Sequence, residues 1–75
     1  MDVPTQLVLE AHITAKTLKF RVWPYDLLSN WTGESEPTCR RAMERDEKNG
    51  FLEYGVSLRT AWVTPKGYKY LQDRQ

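Results

Sequence analysis

Prolines and glycines divide this chain into short segments, and their positions constrain the fold more than any other feature. Pro24 and Gly33 bound one stretch, and Asn49-Gly50 ends a second stretch that begins near Pro37. Proline is tolerated in the first turn of a helix, and a glycine in the left-handed conformation commonly closes one. The spacing therefore predicts two short helices that lie at a close angle because only a tight turn separates them.

The segment before Pro24 fits two periodicities. Its apolar side chains over residues 7–18 can be assigned either to one face of a helix or to alternate positions of a strand. Its length and its content of Ala, Gln, Glu and Lys favour a helix, with Thr5 or Asp2 as the cap. Residues 18–23 then alternate apolar and other side chains, which predicts a short strand ending at Pro24.

After Gly50 the pattern becomes typical of strands. β-Branched and aromatic residues flank a turn near Gly55, which predicts a two-stranded hairpin. Thr64 and Pro65 then have the types expected at the cap and first position of a short terminal helix.

Large aromatic side chains are expected to fill the core of so small a chain. On the terminal helix, Tyr68 and Leu71 are the predicted inward pair and Tyr70 the exposed residue. The three tryptophans stand beside periodic apolar positions, which favours burial over a role as stacking platforms for single-stranded nucleic acid. They are Trp23, Trp31 and Trp62.

The size of the chain limits what it can bury. A chain of 75 residues buries only about 60% of the surface that its unfolded form exposes, so we expect one domain over residues 1–75 that binds through its surface. No apolar run approaches the roughly 20 residues of a membrane helix, and the start of the chain lacks the layout of a secretory signal. We expect a soluble cytoplasmic protein with no membrane partner.

Few residues have the types required for catalysis or metal binding. Cys39 is the single cysteine and His12 the single histidine, so a disulfide or a thiolate metal site within the chain is excluded. Cys39 is predicted to be a small buried hydrophobe, and His12 to be exposed or half-buried. With no phosphate-binding glycine loop and no Ser-His-Asp arrangement, we predict no enzyme activity and no cofactor.

The charged stretch 35–48 decides the functional interpretation, because eleven basic and ten acidic residues leave a net charge of only +1. A helical projection, at about 100° per residue, assigns its residues to two opposite faces. One face carries Cys39, Ala42, Met43 and Asp46, and the other carries Thr38, Arg41, Arg45 and Lys48.

Charge pairing along this helix leaves two interpretations open. The i, i+4 pairs Arg40–Glu44 and Glu44–Lys48 partly neutralise one flank, so a solvated helix of mixed charge is the simplest interpretation. The outward arginines instead suit phosphate and guanine. Asp46 faces the predicted core and therefore requires a hydrogen-bonding or basic neighbour, or a rotation of the helix.

The order of predicted elements resembles that of a winged helix-turn-helix domain. The tail "WVTPKGYKYL" is similar to the strand and Leu-Thr-x-x-Gly ending of bacterial regulators of the MarR and PadR kind, and "TCRRAMERDEKNGFL" resembles their recognition helix. The resemblance implies an α+β fold with a three-helix core, a small antiparallel sheet forming the wing, and a short C-terminal helix. Glu34 and Asp46 depart from it, since the family usually has apolar residues there.

The resemblance also implies a function. Residues 25–31 would support a recognition helix over 35–48, and a wing over 51–64 would flank it, for sequence-specific binding of double-stranded DNA by a small transcriptional regulator or a phage or plasmid accessory factor. Lys19, Arg21 or Lys66 would add phosphate contacts. The implied DNA-binding residues are Thr38, Arg40, Arg41, Arg45, Lys48 and Arg59.

The resemblance leaves partners open. A single recognition helix offers few base contacts, so a homodimer or a protein partner is expected to supply the rest. The rival hypothesis is a winged-helix protein–protein interaction module, such as an assembly subunit or an inhibitor of a host factor. The near-neutral charge favours this rival, since DNA-binding domains are often strongly basic.

Overall fold

Helices α1 to α4 and strands β1 and β2 form the described part of the chain, which comprises residues 3–18, 22–55 and 61–74 of the computed structural model. The order is α1 Thr5–Thr17, α2 Pro24–Thr32, α3 Glu36–Lys48, β1 Leu52–Glu53, β2 Trp62–Val63 and α4 Pro65–Asp73. The predicted α+β class is confirmed. No helix among these residues is long and apolar enough to cross a bilayer.

The helical interpretation of the first segment is confirmed, although its cap is not as predicted. Pro4 occupies the N-cap position of α1 and supplies no side-chain hydrogen bond, while Thr5 is already helical. Half of the strand predicted over 18–23, residues 19–21, lies outside the described residues. Leu18, Val22 and Trp23 belong to no strand.

The tight turn between α2 and α3 forms as the glycine and proline positions predict. Pro24 occupies the first turn of α2, and Gly33 closes that helix with a φ of 74°. Within the turn, Ser29 Oγ donates to the Glu34 carbonyl at 2.8 Å, and Glu34 N donates to Thr32 Oγ1 at 3.1 Å. The turn therefore satisfies its backbone groups locally, and α1, α2 and α3 pack against one another around it.

The core lies where the helices meet the sheet. Four large side chains from different elements are fully buried: Leu9 of α1, Leu28 of α2, Met43 of α3 and Leu52 of β1. Complete burial of each such side chain stabilises the fold by about 1.5–3 kcal/mol relative to exposure. These contacts hold α3 against the other helices along one side only.

Asn49-Gly50 ends α3 as predicted. Asn49 is the C-cap, and Gly50 has a φ of 82°, in the left-handed region. Phe51 N donates to the Asp46 carbonyl at 2.9 Å and Gly50 N donates to the Glu47 carbonyl at 3.0 Å, the pair of bonds that defines a Schellman motif. The chain then enters β1, which pairs antiparallel with β2 in the register Leu52↔Val63.

Thr64 links the end of α3 to the start of α4. It is the predicted cap of α4, and its Oγ1 accepts from Gly67 N at 3.1 Å. The same hydroxyl donates to the Gly50 carbonyl at 2.6 Å. Gly67 packs so closely that an added Cβ would lie 2.5 Å from the Phe51 carbonyl oxygen and 2.6 Å from Val63 Cγ1. The Thr-x-x-Gly sequence thus fixes the start of α4 against the end of α3 and the sheet, through the hydrogen bonds of Thr64 and the close packing of Gly67.

Close packing at Gly67 sets the orientation of α4. Of the predicted inward pair, Leu71 packs against the core as expected, but Tyr70 takes the place of Tyr68. The ring of Tyr70 lies 5.0 Å from that of Phe51, whereas Tyr68 is 48% exposed. Gly67, Tyr70 and Leu71 share a face at i, i+3 and i+4 spacing. The prediction used apolar spacing alone and did not take into account the close contacts that Gly67 makes with Phe51 and Val63.

Two of the three tryptophans predicted to be in the core are on the surface. Trp31 and Trp62 are each 44% exposed, and Trp23 is half-buried. In β2 adjacent side chains point to opposite faces, so the burial of Val63 places Trp62 outside. Trp31 lies in the last turn of α2, one turn beyond the buried Leu28.

Candidate functional site

The face of α3 that was predicted to point inward is buried, and most of the other charged side chains of this helix are exposed. Cys39, Ala42, Met43 and Asp46 are all buried. Arg40, Arg41, Glu44 and Lys48 are exposed, and Thr38 is half-buried. Ser35 occupies the N-cap position, but its Oγ lies 3.1 Å from Thr38 Oγ1 and makes no cap hydrogen bond. The helix therefore presents a polar surface opposite the core.

Arg41 and Lys48 are the cations of this surface that extend outward as predicted. Both are exposed, and within the described part of the chain neither forms an ion pair. Arg41 Nη2 lies 3.4 Å from Thr38 Oγ1, a weak contact that leaves the guanidinium on the outer side of the helix.

Arg40 pairs with a different carboxylate from the one that the sequence suggested. Its Nη2 lies 2.8 Å from Glu36 Oε1, one turn earlier, and this bridge replaces the predicted Arg40–Glu44 pair. The predicted Glu44–Lys48 pair is also not formed between these two described residues. Both members of the Glu36–Arg40 pair are exposed, so the bridge contributes no more than about 1 kcal/mol.

Arg45 departs from the prediction that it faces outward. Its Nη2 donates to the Val3 carbonyl at 2.7 Å, and Nη2 and Nε lie 3.1 Å from the two carboxylate oxygens of Asp46. The projection placed Arg45 and Asp46 on opposite faces, but adjacent residues are only about 100° apart and an arginine side chain is long enough to fold across that angle. Arg45 is therefore half-buried against the segment that precedes α1.

Asp46 has the partners that its buried position requires. Besides Arg45, Thr5 Oγ1 donates to Asp46 Oδ1 at 2.8 Å, a contact between α1 and α3. A buried carboxylate is costly without charge and hydrogen-bond partners. The hypothesis that Asp46 has a basic or hydrogen-bonding neighbour is confirmed, and the alternative of a rotated helix is not needed. Thr5, considered only as a cap from the sequence, was the missed partner.

A shallow depression crosses the C-terminal half of this surface. Arg41, Glu44, Arg45, Lys48 and Asn49 line it, and its volume is about 340 Å³. Three of the five side chains are cationic and one is acidic, so the depression carries positive formal charge despite the near-neutral chain. A phosphate oxygen is a chemically suitable occupant, because arginine and lysine both donate hydrogen bonds to phosphate.

Of the remaining predicted contacts, Lys66 lies within the described residues. Arg59 lies among residues 56–60, outside the described residues, and so does most of the predicted wing tip; Lys19 and Arg21 are likewise outside. Lys66 is exposed at the start of α4, where Nζ donates to the Asn49 carbonyl at 2.7 Å and lies 5.1 Å from the centre of the Phe51 ring. Lys66 therefore stabilises the C-terminal end of α3, at the border of the charged surface.

Cys39 and His12 are both buried. Burial raises the pKa of the Cys39 thiol, which disfavours the reactive thiolate. Burial likewise lowers the pKa of His12. His12 was expected to be exposed or half-buried, and this was wrong because it lies on the inner face of α1 beside Val8, Leu9 and Ala11. In the described ranges no group of three His, Cys, Asp or Glu side chains is arranged to hold a metal.

Comparison with known proteins adds no relative. The sequence matches no protein-family model and no curated protein, and the comparison with solved structures found no match. The functional interpretation therefore depends on the geometry of α3 and its surroundings.

Proposed function

We propose that this chain is a winged helix-turn-helix domain that binds double-stranded DNA in a sequence-specific manner. It would regulate transcription or assist a phage or plasmid process by occupying a site, without catalysis. The order of elements supports this proposal, because α2, a tight turn and α3 precede an antiparallel pair of strands and a terminal helix. In such domains the second helix of the motif enters the major groove.

The outward surface of α3 carries the proposal. Arg41 and Lys48 are exposed on it, while the opposite side of the helix is buried against the core. Arginine can bind the major-groove edge of guanine with two hydrogen bonds, and lysine neutralises phosphate. A helix held rigidly by one side and cationic on the other has the arrangement that groove binding requires.

The other proposed residues have graded roles. Thr38 and Arg40 flank Arg41 near the start of α3, where recognition helices make most of their base contacts. Arg45 lies at the edge of the surface, so its role is to position α3 and to add positive charge to the depression that it lines with Arg41 and Lys48. Arg59 completes the proposal from its place in the sequence only.

A salt titration tests the proposal. Binding to a labelled mixed-sequence duplex, followed by fluorescence anisotropy, should weaken steeply as salt rises, because each phosphate contact releases counterions. Arg41→Ala and Lys48→Ala should each reduce the slope of log K against log salt by about one wherever the residue contacts phosphate. Lys69→Ala is the matched control, since it removes one exposed positive charge from α4 and should leave the slope unchanged.

One observation favours a second candidate, a winged-helix module that binds protein. Trp31, Trp62 and Tyr68 are each more than two-fifths exposed, and aromatic side chains are enriched at protein interfaces. A folded wild-type chain that shows no duplex binding at low salt, as a monomer or as a dimer, would overturn the DNA proposal in favour of this candidate.

A further inference from the structure

A pocket separate from the charged surface lies between α1, the segment before α2, and β2. Its volume is about 450 Å³, within the range of about 300–1,000 Å³ found for small-molecule sites. Its walls are apolar or aromatic, and Lys16 of α1 also lines it. The wall residues are Ala15, Val22, Trp23, Pro24, Ala61 and Trp62.

Among the described residues that line this pocket, His12 and Lys16 carry titratable side chains, and the two differ in exposure. His12 is only 4% exposed, whereas Lys16 is on the surface. Nδ1 of His12 lies 2.7 Å from the Val8 carbonyl oxygen. Because a carbonyl can only accept, Nδ1 carries the proton, and Nε2 of the neutral ring is an acceptor.

Nε2 is a buried acceptor without a hydrogen-bond partner among the described residues. The two ring nitrogens point in nearly opposite directions, so the contact between Nδ1 and Val8 leaves Nε2 on the side of the ring away from the backbone of α1. His12 is also one of the residues that line the pocket. Buried polar atoms in folded proteins are rarely left unpaired, and each exception requires an explanation.

We propose that this pocket binds a small uncharged aromatic molecule that bears one N–H or O–H donor, with the donor directed at His12 Nε2. Trp23 and Trp62 give the pocket aromatic walls, which suit an aromatic ligand. Lys16 disfavours a cationic ligand. A ring without a donor would leave Nε2 unpaired, and an ordered water at Nε2 is the simplest alternative occupant. The inference is independent of DNA binding.

The single histidine allows the site to be observed directly. In protein labelled with ¹⁵N at histidine, Nε2 of His12 gives one resonance, whose shift responds to hydrogen bonding. Indole is the probe, and N-methylindole is its matched control because it keeps the ring and lacks the donor. We expect indole to move the Nε2 resonance saturably with one site, and N-methylindole to bind about 3- to 10-fold more weakly, since one net hydrogen bond is lost.

Variants at exposed tryptophans test the location without disturbing the core. Trp62→Ala removes one wall and should weaken indole binding, whereas Trp31→Ala removes an equally exposed tryptophan from α2, outside the pocket, and should not. Equal affinity for indole and N-methylindole, or equal effects of the two substitutions, would overturn the proposal. An Nε2 resonance that does not respond to millimolar indole would show that only water occupies the site.

Discussion

Arg45 and Asp46, adjacent in sequence, form a bidentate ion pair in which Nε meets Oδ1 and Nη2 meets Oδ2, each at 3.1 Å. The carboxylate is fully buried, and the guanidinium side chain is 36% exposed. Through the Val3 carbonyl and Thr5 Oγ1, the pair also fixes the start of the chain to α3. The charge pair is therefore a structural element at the edge of the proposed DNA surface.

Two arginines of the same helix should differ sharply in their effect on stability. Arg45→Ala leaves the Asp46 carboxylate buried with Thr5 as its remaining partner, and we expect a loss of about 3 kcal/mol, toward the low end for a broken buried pair because Arg45 is partly exposed. Arg41→Ala is the matched control and should change the free energy of unfolding by less than about 0.5 kcal/mol. Urea denaturation of both variants measures the difference. Equal losses would show that the pair does not stabilise the fold.

Gly67 should resist substitution although it lies within a helix. Alanine normally stabilises a helix relative to glycine by about 1 kcal/mol. At Gly67 the added methyl would meet the Phe51 carbonyl and Val63, so we expect Gly67→Ala to destabilise the protein by about 1–3 kcal/mol. Gly55→Ala has open space around its Cβ and serves as the control in thermal unfolding. A Gly67→Ala variant as stable as Gly55→Ala would show that close packing at Gly67 does not limit the size of its side chain.

Acid should weaken the fold through His12. Burial lowers the pKa of His12 below its ordinary value of 6.5, and the contact with Val8 and the charge of Asp46 offset this only in part. The unfolded chain thus takes up the proton first, so the stabilisation from the neutral ring is complete above about pH 6.5 and is lost as pH falls toward the folded-state value. Urea denaturation from about pH 7.5 to 5 measures the effect, with a slope of at most about 1.4 kcal/mol per unit.

The variant His12→Phe isolates this effect from the carboxylates. It keeps a ring of similar size and cannot take up a proton, so its stability should vary less between about pH 6.5 and 5 than that of the wild type. The comparison is between the changes in the free energy of unfolding with pH, so it remains valid if the variant is less stable than the wild type at every pH. An identical pH dependence in both proteins would show that His12 does not titrate differently in the folded and unfolded chains.

The thiol of Cys39 should be unreactive in the folded protein. It is completely buried on the inner side of α3, and burial raises the pKa of the thiol. Thiolate-selective reagents such as iodoacetamide should modify it only when the chain opens, so the rate in native buffer should be far below the rate in denaturant. Mass spectrometry of timed samples measures both rates. Rapid native labelling would mean that α3 separates readily from the core.

The elements that could be predicted are those specified by local chemistry. Pro24 and Gly33 fix the bounds of α2, and Asn49-Gly50 fixes the end of α3, because backbone preferences at these residues act whatever the neighbouring elements are. The inner side of α3 was predictable for a similar reason, since helical spacing alone separates Cys39 and Met43 from Arg41.

The errors concern which side chains meet across the fold. The sequence around Arg45 does not predict its contacts with Val3 and Thr5, because these contacts join residues about forty positions apart. Trp62 was misplaced because hydrophobicity does not show which strand face is covered. The close packing of α4 at Gly67 differs, because the Thr-x-x-Gly spacing in the sequence reflects it. The structure shows that the threonine caps α4 and that the glycine allows the close contact.

The one-sided anchoring of α3 makes its outer residues replaceable. The core contacts only the buried side of this helix, so the side chains at positions 40, 41, 44 and 48 contribute little to the stability of the fold. A library varied at these four positions should yield mostly folded proteins with altered binding preferences. The chain would then serve as a small scaffold for engineered binding, in which surface residues of α3 are replaced and the core residues are kept.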